Sequence, residues 1–182
     1  MSVTEHTYRK LVASWRGRNI VSKIPRQLVP LWCDDYYRTN PDAQLVEVDV
    51  SDSPACFSYL FDIDRQRNIV AWGIPTFASH RRDASRMAGH PLSAGSQYHR
   101  GHLMAHSIGG GTDINLVPQL GKLNIGQFRK IEKRVRQLAK ENVRCLYFVR
   151  TTYNDDSQIP AMFEQCVIQA PGTITYELHN NS

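Results

Sequence analysis

Apolar positions change period near residue 44, and that change sets the expected architecture. Ahead of it, Tyr8, Leu11, Val12 and Trp15 recur at helical intervals behind Ser2-Val-Thr-Glu5, which has capping-box spacing. The pattern predicts a helix over 3–15, ended near Gly17. A second helix is predicted from Gln27 to Arg38, with Leu28, Leu31, Trp32 and Tyr36 on one side. Asn40-Pro41-Asp42 is turn chemistry. Residues 1–41 therefore read as a helical N-terminal arm, and residues 42–182 as the main body.

Past Gln44, Leu45, Glu47 and Asp49 alternate with Val46, Val48 and Val50, the period of a strand. Two more short runs, Cys56–Ile63 and Asn68–Ile74, flank the charged turn Asp64-Arg-Gln-Arg67 and predict an antiparallel meander. Residues 79–100 are polar, a long loop of the kind that often carries function. The clearest helix is predicted over Leu123–Glu141, where Phe128, Ile131, Val135 and Leu138 repeat at helical spacing. Strands are expected at 143–150, 163–169 and 172–178. The fold class is α+β with an antiparallel sheet.

Composition narrows this picture mainly by exclusion. A chain of 182 residues with 41% hydrophobic and 21% charged residues is an ordinary globular protein, so wholesale disorder is excluded. The longest apolar run, Cys145-Leu-Tyr-Phe-Val149, is far short of the roughly 20 residues a membrane helix needs, so no membrane partner is expected. No apolar stretch near the N-terminus resembles a classical secretory signal. Cys33, Cys56, Cys145 and Cys166 form no CxxC pair, which argues against a cysteine zinc site. The net charge of +5 is mild but unevenly placed. Arg81, Arg82, Arg86 and Arg100 fall in one segment, and Arg129, Lys130, Lys133, Arg134, Arg136 and Lys140 in the predicted long helix. Such clusters suit a surface that meets phosphates, although a basic helix face is often only solvated.

Histidines concentrate in the same region, at His80, His90, His99, His102 and His106. The stretch Tyr98-His-Arg-Gly-His-Leu-Met-Ala-His106, then Asn115-Leu-Val-Pro-Gln119, Asn124 and Glu132, resembles the DNA/RNA non-specific endonucleases, a branch of the His-Me finger (ββα-metal) superfamily. The continuation through Tyr153 and Ile159-Pro160 is similar to nuclease domains of bacterial polymorphic toxins. The resemblance covers about 44–180 and is strongest over 98–132.

The chemistry suits the residues. Hydrolysing a phosphodiester needs a base for water, a cation for the developing charge and help for the leaving oxygen. Histidine is the side chain that changes charge nearest neutral pH. A hard cation prefers oxygen ligands and keeps several waters, so one amide oxygen with a carboxylate nearby suffices. On a continuous helix Asn124 and Glu132 would share one broad face. Glu132, set among basic residues, is expected to stay ionised. Gly101 would admit a phosphate close to the backbone.

The resemblance implies specific roles. His102 would be the general base, Asn124 the direct ligand of Mg²⁺ or another divalent cation such as Mn²⁺, and Glu132 the residue orienting its water. Asn115 would hold the His102 imidazole, and Arg100 would contact the phosphate backbone. Gly109-Gly-Gly111 would let the connection fold back over the site. Arg100, Arg81, Arg82, Arg129 and Lys133 are the expected nucleic-acid contacts. A transition-state arginine is expected upstream, with Arg65, Arg67, Arg81 and Arg82 as candidates. His99 departs from the family pattern, which has an acid there.

The implied function is a metal-dependent endonuclease acting on DNA, RNA or both with little sequence specificity. A toxin or effector role, an inhibitor or immunity protein as partner, and export by a specialised secretion system extend the resemblance. The competing class is a catalytically silent nucleic-acid-binding module on the same scaffold. A zinc site at His99-x-x-His102-x-x-x-His106 would require a helix, which Gly101 and the strand-like flanks oppose. Trp15, Trp32 and Phe128 read as core.

Overall fold

The computed structural model describes residues 2–17, 19–50, 55, 57–78, 97–111 and 113–182. Three helices lead, α1 (Glu5–Ser14), α2 (Ile20–Lys23) and α3 (Pro25–Tyr37), followed by strands β1 (Leu45–Val50), β2 (Phe57–Asp62) and β3 (Arg67–Gly73). Next come β4 (Tyr98–His102) and β5 (Leu116–Leu120), helices α4 (Gly121–Ile125) and α5 (Phe128–Lys140), and strands β6 (Cys145–Thr152), β7 (Met162–Gln169) and β8 (Thr173–Asn180). One antiparallel sheet runs β1-β2-β3-β6-β7-β8, and β4 and β5 form a separate two-stranded ladder. The expected α+β class and the meander are as read from the sequence.

The central strands are apolar on both sides because both faces of the sheet are covered. Along β6, Leu146 and Phe148 join one core with Tyr8, Ile20, Leu28 and Trp32 of the helices. Cys145, Tyr147 and Val149 join a second core with Val117, Phe128, Ile131 and Val135. The molecule is thus three layers: α1–α3, the sheet, and the β4-β5-α4-α5 unit. Helices α1–α3, read from sequence as part of an arm over 1–41, lie on the sheet with Trp32 and Tyr8 fully buried against Phe148, ring centroids 5.0 Å apart in each pair.

A buried polar network ties this helical layer down. Arg150 Nε and Nη2 donate to the two carboxylate oxygens of Glu164 at 2.8 and 2.9 Å, and Nη1 donates to Asp35. Tyr8 Oη donates to Glu164 at 2.8 Å, and Trp32 Nε1 donates to Tyr8 Oη at 3.1 Å. Arg150 Nη2 also reaches the Val3 carbonyl, and the Val3 N–H donates to Asp35. That tertiary hold on Val3 explains why α1 starts two residues later than its sequence signal. The cap is Thr4, whose N–H donates to Thr7 Oγ1 at 3.2 Å.

Two of the arginines considered as transition-state groups are committed to structure. Arg65 is ion-paired with Asp42, Asp62 and Asp156 at 3.1, 3.4 and 2.9 Å. Arg67 is buried, donates to Tyr36 Oη, Asn40 Oδ1 and the carbonyls of Asp155 and Ser157, and stacks 4.1 Å from the Tyr153 ring centroid. Arg81 and Arg82, with His80, His90 and Cys56, lie outside the described residues. The cysteines Cys33, Cys145 and Cys166 are free.

The long helix expected over 123–141 is two helices. Gly126 stands between α4 and α5 with φ −102° and ψ −107°, a conformation no α-helix contains. A Cβ there would press on the Lys122 carbonyl oxygen at 2.5 Å, so the break needs glycine. The C-terminal segment closes the third layer. Asn181, buried, accepts from Leu120 N at 2.8 Å and donates to the Pro118 and Pro160 carbonyls at 3.2 and 2.7 Å.

Candidate active site

The β4/β5 register places Arg100 opposite Pro118 and His102 opposite Leu116. Strand alternation puts Arg100 and His102 on one face and His99 on the other. Pro118 is tolerated because, among the described residues, β5 pairs with no strand other than β4, so its missing N–H costs no second ladder. Gly101 is buried with the Gln119 side chain lying across it; a Cβ at 101 would come within 2.6 Å of the Gln119 Cβ. The glycine expected to admit a phosphate instead admits Gln119.

After His102 the chain turns inward through the buried Leu103 and Met104. Asn115 holds this turn. Its Oδ1 accepts from Met104 N at 2.7 Å, and its Nδ2 donates to the carbonyls of Met104 and Gly111 at 2.7 and 2.8 Å. Both amide hydrogens are therefore spent on main chain, and the expected hold on the His102 imidazole becomes a hold on the backbone beside it. Gly109 takes the left-handed φ of 93° that closes the short helical turn at His106–Ile108. The Met104 carbonyl occupies the space a Cβ of Gly110 would need, so this part of the Gly-rich run folds back as expected.

Asn124 sits in the last turn of α4 and Glu132 in the second turn of α5. The break at Gly126, rather than a shared helical face, is what separates their carriers. Both nonetheless line one cavity of about 400 Å³, together with Arg100, His102, Ala105, His106, Ser107, Ile125 and Arg129. The cavity thus joins His102, Asn124, Glu132, Arg100 and Arg129 from the sequence-derived set. Asn115 stands behind it, and Lys133 lies on the exposed side of α5 away from its lining.

His106 and Ser107 were not among the residues singled out for the site. The one sequence signal for His106 was its place in the histidine run, set aside because a zinc site there needed a helix. The structure has His102 in a strand and His106 in a short 3-10 turn.

Electrostatics correct one expectation. Burial pushes the Glu132 carboxyl up to about 7, with Arg129 pulling the other way. Of the basic residues of α5, Arg129 shares the cavity and only partly offsets the burial, while Lys130, Lys133 and Arg134 are exposed and lie outside its lining. Among the described residues Glu132 accepts no hydrogen bond, so its charged form has little to replace lost hydration. A cation entering the cavity would supply that compensation.

The DNA/RNA non-specific endonuclease family model matches residues 74–169, more than half of the chain. The chain belongs to that family. It is accordingly a phosphodiester hydrolase. Its fold is similar to that of NucA from Streptococcus agalactiae, solved with no metal bound, at TM-score 0.59 and 16% identity over 84% of this chain and 89% of that one. The same nuclease with a magnesium ion bound gives TM-score 0.59, 17% identity and the same coverage. The Sda1 nuclease, with a bound zinc ion, gives TM-score 0.51 and 15% identity over 80% of this chain and 92% of that one. Among curated proteins no sequence match of comparable significance is found. The family match begins at residue 74, so β1–β3 and the helical layer lie ahead of it, whereas the structural likeness covers 84% of the chain.

Proposed function

We propose that this endonuclease cleaves DNA, RNA or both by a divalent-metal-assisted attack of water, with His102 as the base. The observation that carries this reading is the single cavity lined by Arg100, His102, Asn124, Arg129 and Glu132. The donor set fits a hard cation: an asparagine and a carboxylate residue line one space, and no group of three or more His, Cys, Asp or Glu side chains among the described residues forms a closed cage. Asn124 would hold Mg²⁺, or Mn²⁺ in its place, directly, and Glu132 would accept from its water shell. When bound, such an ion neutralises charge on the phosphate and on the leaving oxygen.

The remaining work falls to the chain's own side chains. His102 takes a proton from the attacking water. Arg100 and Arg129 bind the phosphate from the cavity wall. Asn115 fixes the turn after His102, so the imidazole is held without reorganisation during the reaction. Lys133, Arg81 and Arg82 are proposed to contact the strand beyond the scissile phosphate. Contacts of this kind read charge and backbone rather than base identity, which supports low sequence specificity.

Digestion of plasmid DNA and of a structured RNA, with Mg²⁺ or Mn²⁺ and with EDTA, tests the reading. Metal-stimulated cleavage by the wild type and none by His102→Ala is the expected result. A wild type that binds these substrates and cuts neither across several divalent cations between pH 6 and 9 would make it a binding module. A toxin or effector role, with an inhibitor protein as partner, rests on the sequence likeness to polymorphic-toxin nucleases. Growth arrest on expression of the wild type but not of His102→Ala is its test.

A further inference from the structure

His99, beside the site, takes no part in the reaction proposed above. We propose that His99 is a positioning residue for the metal ligand Asn124, fixing which atom of its amide faces the cavity. This rests on the reading of Asn124 as a ligand.

Three observations converge. First, His99 Nδ1 lies 3.4 Å from Asn124 Nδ2, and among the described residues no other polar partner of that amide is found. The distance is long for a hydrogen bond, as catalytic contacts often are before ligands tighten them. Second, the imidazole is seated against Gly121: a Cβ there would meet His99 Nε2 at 2.7 Å and Cε1 at 2.9 Å. Gly121 and Asn124 are three residues apart on α4 and share a face, so the glycine makes a notch and the asparagine its far wall. Third, both sides of the notch are anchored. His99 is fixed by its pairing with Gln119 across the β4/β5 ladder, and Gly121 N donates to the Gln97 carbonyl at 3.0 Å.

The chemistry follows from the donor inventory. An asparagine amide can turn either end toward a cation, but only its oxygen can ligate. With Nδ1 of His99 accepting from Nδ2, the oxygen is the end left for the cavity. This requires the His99 proton on Nε2. A carboxylate at this place would accept the same hydrogen bond but add a negative charge beside the cavity.

The test is a set of Mg²⁺ titrations by calorimetry on the metal-free protein, paired with steady-state cleavage. His99→Ala is expected to weaken Mg²⁺ about tenfold or more, the usual cost of removing a group that orients a ligand. Its thermal midpoint should be unchanged, because His99 is exposed. His99→Asn, whose Oδ1 is two bonds from Cβ just as Nδ1 is in histidine, is expected to recover most of the affinity. Gly121→Ala, which pushes the ring out of its notch, should mimic His99→Ala.

The deciding variant is Asn124→Asp, which can still ligate but has no N–H to donate. In that background His99→Ala should cost less than twofold. Equal losses in both backgrounds, or no loss in the wild-type background, would overturn the proposal. A wild type that neither binds Mg²⁺ nor cleaves would instead fail the metal-nuclease reading itself.

Discussion

Glu164 and Glu132 are both carboxylates withdrawn from water against the same sheet, on opposite faces, and they have opposite surroundings. Glu164 receives two hydrogen bonds from Arg150 and one from Tyr8. Among the described residues Glu132 accepts no hydrogen bond, Arg129 offsets its burial only in part, and burial pushes it up to about 7. Desolvating a charge is costly in either case, and the difference lies in what offsets it. On the helical face the offset comes from the protein, which makes the carboxylate part of the scaffold. On the other face Arg129 supplies only part of it, which leaves the carboxylate suited to a cation from solution.

The largest effect expected on either face is catalytic. His102→Ala should lower kcat by about 10²–10⁴-fold, the range for removing a positioned base, while leaving the unfolding midpoint nearly unchanged. A variant that lost stability in proportion to activity would erase the distinction between site and scaffold. On the scaffold side, Arg150→Met should destabilise by about 3–5 kcal/mol, because it leaves Glu164 buried without its cation. Denaturant unfolding measures the loss, and calorimetry on the folded variant should show Mg²⁺ affinity unaltered.

Glu132→Gln should do the reverse. The folded-state carboxyl sits near 7 against an ordinary 4.5, so the native state binds the extra proton between those values. Stability then falls as pH rises through that window, and the penalty is complete above about 7. In EDTA the variant should be more stable than wild type by about 1–3 kcal/mol at pH 8, with the difference vanishing below about pH 4.5. Thermal melts across pH 4–9 check this, and a constant difference would remove Glu132 from the account. With metal present the same proton competes with the cation, so wild-type Mg²⁺ affinity should climb from pH 5 to 7 and then level.

The smallest expected change is at Lys133. Lys133→Ala should weaken nucleic-acid binding nearly uniformly across sequences and reduce the slope of log affinity against log salt by about 1. Fluorescence anisotropy between 50 and 300 mM salt reads it.

Sequence patterns revealed the layers better than the joints between them. The strand period at 45–50, the short run at 68–74 and the apolar stripe from Phe128 to Leu138 report burial directly, and the elements formed there. Gly126 was read through because an isolated glycine in a strong helical pattern costs only about 1 kcal/mol. What stops the helix is its φ/ψ and the Lys122 carbonyl, which periodicity does not encode. At the site, the order His102, Asn115, Asn124, Glu132 was legible as a motif, but the local partners were not. Gly101 serves Gln119, and Asn115 serves the main chain of Met104, both across the hairpin. Glu132 looked ionised because linear proximity to basic residues was taken for spatial proximity. Arg129 alone of the α5 basic residues shares the cavity with it; the others lie outside that lining.

Asn181 carries a consequence for how the enzyme comes into being. It clamps Leu120 N and the Pro118 carbonyl, the strand end from which α4 and its Asn124 depart. On a ribosome, His102, Asn124 and Glu132 are all synthesised well before that clamp exists. A chain clipped ahead of Asn181 would carry every reacting group yet lack the two hydrogen bonds that pin the end of β5, so cleavage far from the reacting groups would loosen the strand end that carries Asn124.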